Sequence, residues 1–386
     1  MKTNFTLILI ALSTVVLAQI PTGYYNSATG SGYALKTQLK NIIDHDNDGL
    51  SPEYEHNDQG YSALWTLFAN ENNAFKDIYD DNDGTIYDMY SEKIGEPELP
   101  QYQFTPVTDQ CGNYSAEGDC YNREHLVPQS YFDHYATNPM KNDPFHAVPS
   151  DGYVNGQRNN LPFGEVNSAS YTSYNGSKKG ANVIDAYSTY SGTVFEPIDE
   201  FKGDIARAYF YFATRYEDLM DNFYSGADAA SCQAKNMFDG STNKVFSDAF
   251  ILRLIKWHLD DPVSQKEINQ NNAIFNFQNN RNPYIDHPEY VCQIWQAQCA
   301  TLNTNTFALE NTTIYPNPSN NGIFTIATTA NLDTITVYAI NGQQITIEKN
   351  PLKVNNGYVV SNLPSGFYFI TVSANGVSET KKVIVN

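Results

Sequence analysis

The feature that most narrows the fold is a change of period along the chain. Up to about residue 299, apolar residues recur at helical spacing: ALKTQLKNII, GYSALWTLFANE, residues 196–223 and residues 244–260 each offer a broad apolar face, and Pro262 stops the last. An amphipathic EINQNNAIFNFQNNRNP follows, and PEYVCQIWQAQC closes the stretch. Beyond residue 312 the period falls to two. FTIATTA, TITVYAI, QQITIE, GYVVSNL, GFYFITVSA and ETKKVIV are short β-branched or alternating runs separated by Asn-Gly, Asn-Asn-Gly and Pro-Ser-Gly turns. Residues 300–311, around TLNTNTFALENT, carry neither period and read as a linker. The expectation is therefore α+β: a mainly helical domain over 19–299, more irregular between 120 and 175, and then a small all-β sandwich over 312–386. Trp65 and Phe68 read as core anchors rather than a platform for stacking bases.

The opening MKTNFTLILIALSTVVLAQI has one Lys before an apolar run and a small-residue pattern ending at Ala18, the form of a secretory signal over residues 1–18. The run is too short to remain as a membrane helix, and no later stretch reaches the length of a span. An exported monomer without a stable membrane span is expected. Export permits disulfides. Cys111 with Cys120 and Cys292 with Cys299 would each close a short loop and leave Cys232 over, although spacing alone equally allows free thiols.

A formal net charge of −20 argues against a tight electrostatic grip on nucleic acid. The acid is unevenly spread, however. Residues 41–100 hold fifteen Asp and Glu against two Lys, whereas residues 121–180 hold five acidic and five basic residues. The second region is locally neutral, and a bound divalent ion there would add positive charge where a phosphate must sit.

That neutral region contains Asn122-Arg123-Glu124-His125 and, further on, VNGQRNN, whose Asn155 lies thirty positions past His125. A neutral imidazole can deprotonate a water, and a carboxylate with an amide oxygen suits a hard cation such as Mg2+. An unperturbed imidazole would put the onset of activity near pH 6.5. An Arg-Glu-His tripeptide alone is a weak signal, since most such triplets are surface charges or a packed His. A zinc hydrolase is the natural rival, but HExxH is absent and His125, His134 and His146 lack compact ligand spacing. A second metal signal lies at Asp44, Asp46 and Asp48 with Gly49 and Glu55, the spacing of a calcium loop for a structural Ca2+. Pro52 at its ninth position speaks against it, and YDDNDGT at 79–85 lacks the spacing and reads as a turn.

With its flanks, YNREHLVPQSYF followed by DPFHAVPSDGYVNGQRNN resembles the secreted or periplasmic bacterial endonuclease I family over about residues 22–290. GYALKTQLKNII, YSALWTLF and GTIYDMYSE resemble the segments that precede the site in that family. The resemblance implies a ββα-metal (His-Me finger) nuclease with His125 as general base, and Glu124 and Asn155 as ligands of one Mg2+, for which Mn2+ or Ca2+ could stand in. It implies hydrolysis of DNA, with RNA as a further substrate, leaving 5′-phosphate ends. The family's His-Asn before Leu-x-Pro is here Phe145-His146, so His146 is either a supporting donor or a structural His. Arg158 is the best substitute for an Arg that steadies the cleaved phosphate in some relatives, and strand alternation should turn Arg123 away. YPNPSNNGIF with GFYFITVSANGVSETKKVIV resembles the type A sorting domain of Bacteroidetes type IX secretion, which implies a secreted or outer-surface location and the type IX machinery as partner. The competing reading is a surface adhesin or nucleic-acid-binding protein on a degenerate nuclease fold.

Overall fold

A computed structural model describes residues 20–44, 56–70, 74–97, 101–103, 109–132, 139–226, 234–310, 312–354, 357–374 and 377–386. The signal segment, Asp46, Asp48, Glu55, His134 and Cys232 lie outside the described residues.

Two early helices, α1 (Gly32–Ile43) and α2 (Leu64–Asn70), bury Leu35, Leu39, Ile42 and Ile43 and then Leu64, Leu67 and Phe68, the residues their periodicity marks. Strand β1 (Tyr121–His125) pairs antiparallel with β2 (Ala147–Asp151), with Glu124 opposite Val148 and His125 opposite Ala147. Helix α3 (Gly152–Arg158) starts directly from β2 because the Asp151 carboxylate accepts the Val154 N–H and caps it. A small antiparallel sheet follows, in the order β3 (Val166–Thr172), β4 (Lys178–Asn182), β5 (Thr193–Glu196).

The helix expected over 196–223 is interrupted. Glu196 belongs to β5, α4 runs only over Lys202–Arg215, and Tyr216 leaves helical geometry while its hydroxyl donates to buried Asp143. Nearly every α4 residue is buried, so this helix is enclosed by its neighbours and forms the centre of the domain. Around it lie α5 (Met220–Gly226), α6 (Ala234–Met237), α7 (Asp248–Asp260), α8 (Gln265–Gln278), α9 (Pro283–Asp286) and α10 (Tyr290–Ile294). A capping box between Ser264 and Glu267 starts α8, and Asn279 in the left-handed region ends it.

The reading of residues 300–311 as an irregular linker is corrected: α11 (Gln296–Glu310) is helical across it. Leu302 packs in the core of the first domain and Leu309 in that of the second, which supplies burial the sequence period did not show. The C-terminal domain is β-stranded. One antiparallel sheet orders β10 (Gly357–Val360), β7 (Phe324–Ala327) and β6 (Thr313–Tyr315); the other orders β12 (Val377–Val385), β11 (Gly366–Ala374), β8 (Thr334–Ala339) and β9 (Gln344–Lys349). Phe324, Ile326, Ile335, Val337, Ile370 and Val372 share its core. The protein is thus a mixed helix and strand domain followed by a β-stranded one, and disulfides join Cys111 to Cys120 and Cys292 to Cys299.

Candidate active site

The hairpin of β1 and β2 and the helix α3 meet at a polar cleft of about 430 Å3. Glu124, His125, Asn155 and Arg158 all line it, so residues thirty positions apart in sequence share one wall.

His125 is nearly buried. Its Nε2 lies 2.9 Å from the Lys141 carbonyl oxygen, an acceptor only, so Nε2 carries the proton and Nδ1 presents the lone pair. Gln129 donates its amide N–H to that Nδ1 at 3.2 Å. Burial pushes the His125 imidazole down to about 3, and the neighbouring His146 ring adds to the shift. Held that low, the ring is neutral across the physiological range, whereas an unperturbed imidazole would lose its proton only near pH 6.5.

Glu124 is 2% exposed. One carboxylate oxygen, Oε1, accepts from the Tyr90 hydroxyl at 2.9 Å and from Arg158 at 3.0 Å, and the His125 backbone N–H also bears on the carboxylate. Burial pushes the Glu124 carboxyl up to about 7 against the opposing pull of Arg158 and Tyr90. The Asn155 side chain has no hydrogen bond among the described residues and lines the same cleft. A carboxylate and an amide side chain lining one cleft fit a hard divalent cation.

The expectation that Arg158 reaches a substrate phosphate is corrected. Its guanidinium is 1% exposed, donates to Glu124 and to the His125 and Leu126 carbonyls, lies 3.3 Å from the Tyr209 hydroxyl, and stacks 4.4 Å from the Phe163 ring. It forms the floor that fixes the end of β1. The Glu124 carboxylate in turn holds the Arg158 guanidinium well above its ordinary value, so it stays charged. His146 is structural: its Nε2 donates to the Met140 carbonyl and its ring packs between Phe132 and Phe212. Arg123, expected to turn away, lines the cleft under Tyr61.

Several contributors escaped the sequence reading. Gln129 and the Lys141 carbonyl fix the tautomer, and only the offset of four from His125 to Gln129 could have hinted at it. Tyr114, inside the loop closed by Cys111–Cys120, lies flat on α3: a Cβ at Gly156 would come 2.6 Å from its hydroxyl, and one at Gly152 2.7 Å from its ring. Glycine at both positions lets the ring reach the helix. Away from the cleft, Asp77, Asp81 and Asp83 offer carboxylate oxygens within 4.8 Å of one another, a cluster compatible with a metal ion in the segment read as a turn. Of the expected calcium loop, Asp44 alone is described, and its carboxylate pairs with Lys40 at 2.7 Å.

Residues 31–289 match the endonuclease I family. The chain belongs to that family. Endonuclease I relatives include proteins described as extracellular ribonuclease from Bacillus amyloliquefaciens, 31% identical over 276 residues, and from Bacillus subtilis, 30% identical over 282 residues. Each alignment covers 70% of this chain and 78% of the relative. Residues 313–386 match the secretion system C-terminal sorting domain of type IX export, which places this endonuclease I member outside the cell, secreted or on the outer surface. Among the described residues no helix is long and apolar enough to cross a membrane. Family and acidic cluster together mark a metal-dependent nuclease.

Proposed function

We propose that the protein is an exported, sequence-nonspecific endonuclease that hydrolyses phosphodiester bonds of DNA, and of RNA, with His125 as general base and Glu124 and Asn155 as ligands of one Mg2+. The single observation that carries the reading is the state of His125: its Nε2–H is committed to the Lys141 carbonyl, so Nδ1 stands as a fixed, neutral acceptor in the cleft that Glu124 and Asn155 also line. The antiparallel β1–β2 hairpin running straight into α3 supports a ββα-metal motif.

Gln129 keeps the Nδ1 lone pair occupied in the free protein, and an entering water would exchange with that amide and give its proton to Nδ1. Water, not a ribose hydroxyl, is then the nucleophile, so the chemistry does not require RNA. The relatives' description as ribonucleases supports RNA as a substrate of the same site. A divalent cation, when bound, supplies positive charge for the oxygens of the phosphate under attack. Arg158 keeps Glu124 oriented and lowers the cost of its negative charge in a buried place. The product is expected to carry a 5′-phosphate.

Plasmid DNA and a structured RNA incubated with Mg2+, with and without chelator, test the reading, together with three alanine variants. His125→Ala should slow cutting by roughly 10^2 to 10^4 while leaving Mg2+ binding by calorimetry in place. Glu124→Ala should weaken Mg2+ binding itself, and Asn155→Ala should do so less because it deletes a neutral ligand. Loss of metal binding in His125→Ala with normal cutting by Asn155→Ala would overturn the assignment. An adhesin on a degenerate fold would show no chelator-sensitive cutting at all.

A further inference from the structure

Among the described residues, Arg123 is a cation without a counter-ion. Arg158, Arg207, Arg253 and Arg281 are each buried against a carboxylate. Arg123 has no carboxylate within ion-pair reach among the described residues, although the protein as a whole carries a charge of −20. Among the described residues its guanidinium makes one hydrogen bond, from Nη1 to the Tyr61 carbonyl at 2.8 Å; Nε is buried without a partner and Nη2 makes no bond, in a residue that lines the cleft.

The guanidinium is nonetheless held firmly. Its central carbon lies 3.5 Å from the Tyr61 ring centroid and 4.3 Å from that of Trp65, so two aromatic faces fix its plane and offset part of the cost of withdrawing it from water. The same Tyr61 ring stacks on His125 at 5.7 Å, and Lys141 Nζ stands 4.8 Å from it. One tyrosine thus positions an unpaired fork of donors beside the general base. A planar cation with spare N–H groups, kept rigid and without an internal anion, is matched by a phosphate.

Resting on the nuclease reading above, we propose that Arg123 holds a backbone phosphate of the nucleic-acid substrate in the cleft, the role the sequence pointed to in Arg158. Trp65 and Tyr61 act as its support, and their rings are occupied by this task instead of by bases.

The test uses the full-length protein with Mg2+, and His125→Ala as the slow-cutting background for binding. Anisotropy of a labelled DNA duplex measured from about 50 to about 200 mM NaCl gives the slope of log affinity against log salt, which Arg123→Gln should reduce by about 0.9, the loss of one phosphate contact. In the cutting-competent protein the same substitution should raise KM roughly ten- to hundredfold and leave kcat changed less. Arg123→Lys should keep the salt slope, since the charge remains, but recover only part of the affinity. If Arg123→Gln cannot be assayed because it unfolds, Arg123→Lys decides: a native slope with weakened affinity supports the proposal, and native affinity overturns the need for a fork. A folded Arg123→Gln with unchanged slope and KM makes Arg123 a packing cation only and overturns the proposal while wild-type cutting leaves the nuclease reading intact. A wild type that cuts nothing removes both.

Discussion

Arg158→Met separates a buried floor from a substrate clamp. The substitution keeps most of the aliphatic volume but strands the Glu124 carboxylate, whose Arg158 partner sits 3.0 Å away with both side chains at most 2% exposed. Removing one member of such a buried pair costs about 3–5 kcal/mol. Two carbonyls, those of His125 and Leu126, lose their donor as well. At roughly 2–4 °C per kcal/mol for a large domain, the melting temperature should fall by about 10 °C or more. Calorimetric melting of Arg158→Met, Glu124→Gln and the double variant measures this directly, and the double should be less destabilised than the sum, because the neutral amide removes the stranded charge. An Arg158→Met protein that melts within about 2 °C of wild type yet has lost cutting would mean that the guanidinium is free to meet substrate, and the argument from burial would fail.

Two further outcomes follow from the same geometry. Glu124 in the metal-free protein titrates near 7 and must lose its proton to hold a cation, so at limiting Mg2+ activity should rise with pH through about 7; at saturating Mg2+ that limb should move to lower pH, because binding drives the proton off. His125, pushed down to about 3, is already neutral there, and a limb that stays near 6.5 at every Mg2+ concentration would show that the imidazole itself titrates. Separately, Ca2+ should raise the melting temperature without replacing Mg2+ in catalysis. Asp46→Ala and Asp83→Ala assign the effect to the loop at 44–55 or to the Asp77, Asp81 and Asp83 cluster, and a full calcium response in both variants would remove both sites.

The helices with one apolar face were legible because burial on one side leaves a period, as in α1 and α7. Central α4 was visible but misjudged in length: it is buried all round, and its ends are set by strand pairing of Glu196 and by the Tyr216 hydroxyl reaching Asp143, neither of which leaves a local mark. Helix α11 was missed because its burial is split between two cores, so no single face repeats. In the site, Glu124, His125 and Asn155 were legible as residue types at a spacing. The different settings of Arg158 and Arg123 were not, because they depend on which arginine finds a buried carboxylate and which is held by aromatic faces and a backbone carbonyl.

Tyr114 on the glycine face of α3 carries a consequence for anyone who would alter this protein. Glycine within a helix is the usual first target for stabilisation, since alanine gains about 1 kcal/mol of helix propensity. At Gly156 the added methyl would meet the Tyr114 hydroxyl at 2.6 Å, so the partly exposed ring would have to shift off the helix. The close seating of Tyr114 on α3 is thus encoded by a missing carbon next to Asn155. A stabilising alanine there would set the gain in helix propensity against the loss of a ring contact at a residue that lines the cleft.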